Sequence, residues 1–225
     1  MKSKKSNIAI FNTFKTRRDK FTGEAKRQRG ILIHLATEKS PELRTRTSIA
    51  HAIAKNNGIF WQNIYSGIFK DLDEVLIPSN IVKEEGRLPL KRGPRALQLE
   101  GVPFYELTDT GLLVASSIEE LGNSRIKILD IYLNKMSTVE QEQIVLKECM
   151  LLLLKIVPSF MTKIIGEYVY AYSTSNIDSI VPFSTEKIRS VVGEHISIAK
   201  QFVDAYDNAI PEQKVLIKKF FSILS

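Results

Sequence analysis

The sequence predicts a mainly α-helical protein with a small β element, or wing, in its first half. Apolar residues recur at helical spacing through most of the 225 residues. That spacing is lost between Gly86 and Leu107, where glycines and prolines cluster, and it returns from Asn123 to the end. A chain of this length can form one large domain or two modest ones. We therefore expect an N-terminal domain at residues 23–121 and an all-helical domain at residues 122–225.

Three helices are predicted before the β element. The first spans about residues 23–38 and ends before Ser40-Pro41, because a residue that precedes proline disfavours helical geometry. The second, Thr47–Asn56, ends at Asn-Asn-Gly, whose residues tolerate the left-handed conformation of a helix end. The third, Phe60–Asp71, follows at once. Two short helices separated by such a turn are typical of a helix-turn-helix.

The β element comprises two predicted short strands on either side of a long loop. The segment before it, Val75–Lys83, is either a short helix or an extended stretch. The strands are expected at Arg87–Leu90 and Phe104–Leu107, and the loop at Lys91–Pro103. A helix from Leu112 to Leu121 follows them.

The segment Phe104–Gly111 has the sequence Phe-Tyr-Glu-Leu-Thr-Asp-Thr-Gly. It resembles the aromatic-x-Leu-Thr-x-x-Gly segment that closes the wing in MarR-like and PadR-like transcriptional regulators. The resemblance covers about residues 28–120 and implies a winged helix-turn-helix domain that binds double-stranded DNA and regulates transcription. In such a domain a helix reads bases in the major groove, and a basic loop contacts phosphates or the minor groove. The loop here is longer than the usual short hairpin.

Side chains of three kinds are predicted to contact DNA. Polar residues on the outer face of the third helix can pair with bases, because Gln and Asn suit adenine edges and Lys reaches guanine or phosphate. Cations on the rigid loop dock at a low entropy cost, and arginines at the start of the second helix meet phosphates near its positive dipole end. The predicted contacts are Arg44, Arg46, Gln62, Asn63, Ser66, Lys70, Lys91, Arg92 and Arg95.

Other interpretations of the same residues stay open. The polar side chains of the third helix could be ordinary solvated residues, and the loop cations could pair with Glu84, Glu85 or Glu100. A second function is a protein-interaction winged helix, an adaptor or scaffold whose third helix faces a partner protein. The large aromatic residues of the third helix motivate it: Phe60, Trp61, Tyr65 and Phe69.

The net charge of +7 is concentrated at the N-terminus. Residues 1–30 contain ten Lys or Arg and two Asp or Glu, whereas residues 31–120 contain ten and twelve. A concentrated basic segment suits a polyanion, with nucleic acid ahead of an anionic membrane. Residues 1–22 are therefore predicted to be a flexible or loosely docked basic arm. The alternatives are a disordered solubilising tail and, from a faint resemblance, an organellar transit peptide.

The all-helical second half is predicted to serve dimerisation or effector binding. The helix Thr138–Val157 is apolar on most sides, which favours the centre of a bundle or a subunit interface. Winged-helix regulators are mostly dimers that bind palindromic sites, so a homodimer is expected. An effector pocket near Tyr168, Tyr170 and Tyr172 is the alternative, and no residue identifies its ligand. The other predicted helices are Ser124–Lys135, Ser159–Tyr172, Thr185–Asn208 and Glu212–Leu224.

The sequence gives little support for an enzyme. Three histidines lie far apart, and no phosphate loop, nucleophile elbow or zinc-ligand spacing is present. We expect no metal or cofactor, and a buried, inert thiol at the single cysteine, Cys149. No apolar stretch is long enough to span a bilayer and no secretory signal is present, so the expected location is cytoplasmic.

Overall fold

The computed structural model describes residues 8–57, 61–89, 101–135 and 141–224. These residues form a mainly helical protein with two small antiparallel sheets. The chain divides into two compact units, Met1–Phe183 and Ser184–Ser225. The boundary predicted near residue 121 lies inside the first unit, and the assignment of separate functions to the three predicted segments stays a prediction.

The N-terminal segment is a folded β-hairpin where the sequence predicted a loosely held arm. Strands β1 (Thr13–Phe14) and β2 (Arg17–Phe21) pair antiparallel. Ahead of them Ile8, Ala9 and Ile10 are buried. The Ala9 N–H donates to Gln28 Oε1 at 2.9 Å, which satisfies a buried donor. Burial of apolar side chains therefore anchors residues 8–21 to the domain. This role was not predicted, because the segment was interpreted from its positive charge.

Helices α1 (Gly23–Thr37), α2 (Arg46–Asn57) and α3 (Trp61–Lys70) follow close to their predicted bounds. The Thr22 hydroxyl caps α1 by accepting from the Ala25 N–H. A π-helical turn, Asp71–Leu76, extends α3. The predicted apolar faces form the core between these helices. Its members include Ile31, Leu32, Ile49, Ile53, Ile64 and Ile68.

An ion pair fastens α1 to the end of α3. Arg27 Nε lies 2.8 Å from Oδ2 of Asp71, whose side chain is almost completely buried. The guanidinium passes directly over Gly67, where a Cβ would lie 2.7 Å from Arg27 Nε. Gly67 therefore makes room for a side chain of α1 as it crosses α3.

The second sheet is larger than predicted. Strand β3 (Val82–Leu88) pairs antiparallel with β4 (Val102–Leu107). The prediction of Arg87–Leu90 for β3 was wrong by five residues at its start. Most of β3 is solvent-exposed, so the alternation of apolar and polar residues that marks a strand is missing there. Separately, Thr45 forms an isolated antiparallel bridge with Phe104.

Helix α4 (Asp109–Ser116) is shifted and shorter than the predicted Leu112–Leu121. It begins three residues earlier because the Thr108 hydroxyl accepts from the Gly111 N–H as an N-cap. It ends at Ser116, and a separate 3₁₀ turn follows at Glu119–Leu121. The hydroxyls of Ser116 and Ser117 donate to carbonyls three residues earlier.

Three more helices complete the first unit: α5 (Ser124–Lys135), α6 (Gln141–Ile156) and α7 (Pro158–Ser173). Helix α6 buries Met150 and Leu154 but leaves Leu152 and Ile156 exposed. The expectation of a buried Cys149 was wrong. Its thiol is exposed because it lies on this outer face of α6. Helix α6 is therefore covered on one face only. It does not lie at the centre of a bundle, which was one of its two predicted positions.

The second unit consists of α8 (Thr185–Asn208) and α9 (Pro211–Leu224). Ser184 caps α8 by accepting from the Lys187 N–H. The two helices fold back on each other, since the rings of Phe202 and Phe221 meet edge to face at 5.6 Å. Among the described residues, no helix has both the length and the apolar character needed to cross a membrane.

Candidate functional site

The outer face of α3 carries two of the predicted DNA-contacting residues. Ser66 and Lys70 are both exposed and stand one helical turn apart. Beside them, the rings of Tyr65 and Phe69 are half-buried and pack 4.5 Å apart. Gln62 and Asn63 belong to the first turns of α3, and their side chains lie outside the described residues.

Arg46, at the start of α2, is held by three neighbours. Its Nη1 donates to Asp73 Oδ2 at 2.9 Å, and its Nε donates to the Tyr105 hydroxyl at 2.5 Å. Its guanidinium also lies 4.5 Å from the centre of the Phe69 ring. The side chain keeps 23% of its surface exposed. Arg46 is therefore accessible, but its charge is already paired.

The environment of Arg46 also affects Tyr105. Burial raises the pKa of the Tyr105 hydroxyl above its ordinary value, and the hydrogen bond from Arg46 offsets part of that increase. The hydroxyl therefore stays protonated at neutral pH and accepts from the guanidinium.

Arg44 is more deeply enclosed and connects the 3₁₀ turn Pro41–Arg44, which precedes α2, to the second sheet. Its Nη1 lies 2.5 Å from Glu85 Oε2 on β3, and its guanidinium lies 5.4 Å from the Phe104 ring centre on β4. Only 11% of the side chain is exposed. This geometry suits a residue that positions the hairpin rather than one that reaches a phosphate.

The loop between β3 and β4 was predicted to carry Lys91, Arg92 and Arg95, which lie outside the described residues. At the base of the hairpin, the acidic side chains already have partners. Glu84 pairs with Arg87 and Glu85 with Arg44, and Lys83 pairs with Glu106 across the strands. Two of the carboxylates considered as partners for the loop cations are thus engaged elsewhere.

Thr108 and Gly111, in the Leu-Thr-x-x-Gly segment, have clear structural roles. The Thr108 N–H donates to the Ile81 carbonyl at 3.1 Å, and its hydroxyl caps α4. Gly111 packs against the same carbonyl, where a Cβ would lie only 2.1 Å from the Ile81 oxygen. Threonine and glycine are therefore both needed for α4 to begin directly after β4.

The N-terminal cations were predicted only as a charged segment. The hairpin presents Lys15, Arg17 and Lys20 at the surface, and Lys26 is exposed on α1. Within the part of the chain that the structure describes, none of these four cations has an ion pair. The charge count was the available signal, and the hairpin that presents the charges gave no recognisable strand pattern.

A cavity of about 400 Å³ lies between the N-terminal hairpin, α1 and α2. Its wall includes Arg29, which pairs with Glu120 through Nε–Oε1 at 3.0 Å and a second, shorter bond. The Arg29 guanidinium lies 4.0 Å above the Phe21 ring. Phe21, Lys26, His34 and Ile53 also line this cavity.

The three tyrosines proposed for an effector pocket do not converge. Tyr168 is buried and packs edge to face with Phe183 at 5.0 Å, whereas Tyr170 is exposed. Burial raises the pKa of Tyr168 to about 12, because the phenolate would be poorly solvated there. Its hydroxyl has no hydrogen-bond partner among the described residues.

No protein-family model, curated protein or solved structure matches the chain. Within the described residues, no group of three or more His, Cys, Asp or Glu side chains is placed to hold a metal ion.

Proposed function

We propose that this chain is a sequence-specific, double-stranded DNA-binding protein of the winged-helix type that regulates transcription as a homodimer. The observation that carries the proposal is the bridge between Thr45, just before α2, and Phe104 on β4. It joins the helix pair α2–α3 to the β3–β4 hairpin. A helix and a basic loop that are fixed to each other can contact one duplex together.

The exposed face of α3 supplies the base-reading side in this proposal. Ser66 and Lys70 are free to reach base edges or phosphates, and Gln62 and Asn63 precede them on the same helix. Asp73 and Glu74, just beyond α3, would repel phosphates. The N-terminal part of α3 therefore enters the groove, and its acidic end stays outside.

The loop cations supply the second contact. Strands β3 and β4 lead directly into and out of the segment that contains Lys91, Arg92 and Arg95. Arginines in a narrow minor groove would respond to the shape of the duplex as well as to its charge. Arg44 holds the base of this hairpin, and Arg46 becomes a phosphate ligand when it exchanges Asp73 for DNA.

An adaptor that binds protein through α3 is the second candidate. An open depression beside α3 is lined by Tyr65, Phe69, Asp73 and Glu74, together with Ser66 and Lys70. Half-buried aromatic rings next to carboxylates suit a basic, partly apolar peptide. This observation favours a protein partner, although it does not account for the loop cations.

Fluorescence anisotropy with a labelled random duplex, at low and moderate salt, tests the proposal. Binding should weaken steeply with salt, because Lys and Arg contacts displace counterions. The Arg92→Ala/Arg95→Ala variant should bind more weakly than a control, Lys127→Ala/Lys155→Ala, which removes the same charge from exposed positions on α5 and α6. No binding by the unmodified protein at low salt would favour the adaptor.

A cytoplasmic location and a small-molecule effector belong to the same proposal. The cavity beside α1 and α2 is the candidate effector site, because it borders the first helix of the helix-turn-helix. A ligand that moved α2 there would change the position of α3, to which α2 is directly connected.

A further inference from the structure

Helices α8 and α9 carry many large apolar side chains that the contacts within their own hairpin leave exposed. Among the side chains of the second unit that the structure describes, ten large apolar ones are each more than one third exposed. The most exposed lie on α9, where Leu216, Phe220 and Ile223 are 65%, 58% and 81% exposed. Scattered apolar residues are normal at protein surfaces, but a concentrated set marks an interaction site.

These three residues form one stripe on α9. They are spaced at i, i+4 and i+7, which places them on a single helix face. The opposite face of α9 holds the hairpin together, because Phe221 packs on Phe202 and Lys214 Nζ lies 5.5 Å from the Tyr206 ring centre. The stripe is thus not used within the hairpin. On α8, Ile196 and Val203 are exposed as well.

The size of this surface fits a homodimer. Phe202 and Phe221 pack on each other within the hairpin; with side-chain areas of about 60–250 Å² each, the other eight exposed residues present on the order of 500 Å² of apolar surface per chain. A standard interface buries about 800 Å² per partner, and roughly 65% of a homodimer interface is apolar. One copy of the hairpin therefore offers enough apolar area for such an interface.

The charges of the two helices are complementary. Residues 194–208 of α8 contain Glu194, Asp204 and Asp207 against Lys200, a net −2. Helix α9 contains Lys214, Lys218 and Lys219 against Glu212, a net +2. Among the described residues, Glu194, Asp204, Asp207, Lys218 and Lys219 have no ion-pair partner.

We propose that the hairpin Thr185–Leu224 is a homodimerisation module that packs against the same hairpin of a second copy as a four-helix bundle. The stripe Leu216–Phe220–Ile223 lies in the interface, and α9 of each copy lies beside the acidic half of α8 of the other. A two-fold axis makes this contact twice with the same residues. This inference supplies the interface for the homodimer of the proposed function.

Light scattering coupled to size-exclusion chromatography of the full chain tests the module. The unmodified protein should have twice the chain mass of 25.5 kDa, and the Leu216→Glu/Phe220→Glu variant should have that mass once. The control Leu152→Glu changes an exposed apolar residue on α6, and it should remain dimeric. Circular dichroism should show the same helix content for all three proteins.

Three results would overturn the inference. The unmodified protein could be monomeric, the hairpin variant could remain dimeric, or Leu152→Glu alone could give the monomer, which would move the interface to α6. A monomer that sediments with phosphatidylcholine–phosphatidylglycerol vesicles would instead assign the stripe to a membrane surface. Duplex binding is measured on the same three proteins. A hairpin variant that is monomeric but still binds DNA would support the dimerisation module and contradict only the need for a dimer in DNA binding. An unmodified protein that is dimeric but does not bind DNA would support the module and contradict the proposed function.

Discussion

Arg46 on α2 and Asp73, just beyond α3, form an ion pair across the surface that we propose faces DNA, with Nη1 and Oδ2 2.9 Å apart. In the proposed complex, phosphate would compete with Asp73 for this guanidinium. The pair neutralises the positive charge of Arg46 and holds its guanidinium over the ring of Phe69.

Removal of the competing carboxylate should strengthen DNA binding. We expect Asp73→Asn to lower the duplex Kd about fivefold at low salt, equivalent to about 1 kcal/mol, since Arg46 becomes free for phosphate. Anisotropy titrations give the value. Glu148→Gln removes an equal charge from an exposed site on α6 and should change the Kd much less. Equal effects of the two variants would argue against a phosphate contact at Arg46.

The DNA contact that we propose for α3 can be tested at Lys70. We expect Lys70→Ala to weaken duplex binding and to reduce the slope of log K against log salt by about one, as for the loss of one phosphate contact. Lys127→Ala, an exposed cation on α5, is the control. An unchanged salt slope in Lys70→Ala would exclude a phosphate contact for this residue.

A substitution at Gly111 tests whether the Leu-Thr-x-x-Gly segment needs a glycine at its last position. Gly111→Ala would place a Cβ 2.1 Å from the Ile81 oxygen, so we expect a loss of about 3 kcal/mol or more in the free energy of unfolding. Urea denaturation gives the value. Gly23→Ala is the control, because its Cβ meets nothing within 4 Å and should leave stability equal or higher. A fully stable Gly111→Ala protein would mean that α4 does not approach Ile81 this closely.

The Arg29–Glu120 pair should make stability depend on acidic pH. Burial favours a higher pKa for Glu120, but hydrogen bonds from Arg29 outweigh it and hold the pKa below the ordinary 4.5. The stabilisation is therefore complete above about pH 4.5 and is lost as the pH falls through the folded-state pKa.

Glu120→Gln should accordingly cost about 0.5–1 kcal/mol at neutral pH, because it removes the anion of the buried Arg29 guanidinium while solvent screens the half-exposed carboxylate. Unfolding free energies measured from pH 7 to 3 should show this difference shrinking below pH 4.5. Glu119→Gln, at the exposed neighbouring residue, should have little effect. A difference that is independent of pH would contradict the electrostatic explanation.

The buried hydroxyl of Tyr168 predicts a stabilising substitution. Tyr168→Phe removes a polar group that has no partner among the described residues, so stability should rise by up to about 1 kcal/mol. Tyr170→Phe, at an exposed position, should be neutral. Burial raises the pKa of Tyr168 to about 12, so the unfolded chain loses this proton first, and the free energy of unfolding of the unmodified protein falls as the pH rises from 10 towards 12. Destabilisation by Tyr168→Phe at neutral pH would instead indicate a hydrogen bond to the hydroxyl.

Apart from α4, which begins and ends earlier than predicted, the positions of the helices were predicted well because their signals are local. The start and end of α8 are set by a Ser184 cap and the Ala209-Ile210-Pro211 stop, and both lie in adjacent sequence. In contrast, strands β1 and β2 were not predicted, and β3 begins five residues before its predicted start. A short strand with exposed charges has no periodicity, and its partner strand is what defines it.

The sequence predicted which residue types the candidate site contains, but only part of their exposure and contacts. The exposed positions of Ser66 and Lys70 follow from the spacing of Ile64 and Ile68 on the buried face. The ion pairs of Arg44 and Arg46 could not be predicted, because Glu85 and Asp73 are distant in sequence. The exposure of Cys149 was missed for a similar reason, since only the fold shows which face of α6 is covered.

Site-directed photocrosslinking tests most directly whether α3 faces DNA. Cys149 is the only cysteine, so Cys149→Ser allows a crosslinker to be placed at one chosen position. On that background, a crosslinker at Ser66→Cys should attach to a bound duplex at low salt, and one at Lys127→Cys on α5 should not. A crosslink from Lys127→Cys with none from Ser66→Cys would contradict a DNA-facing α3.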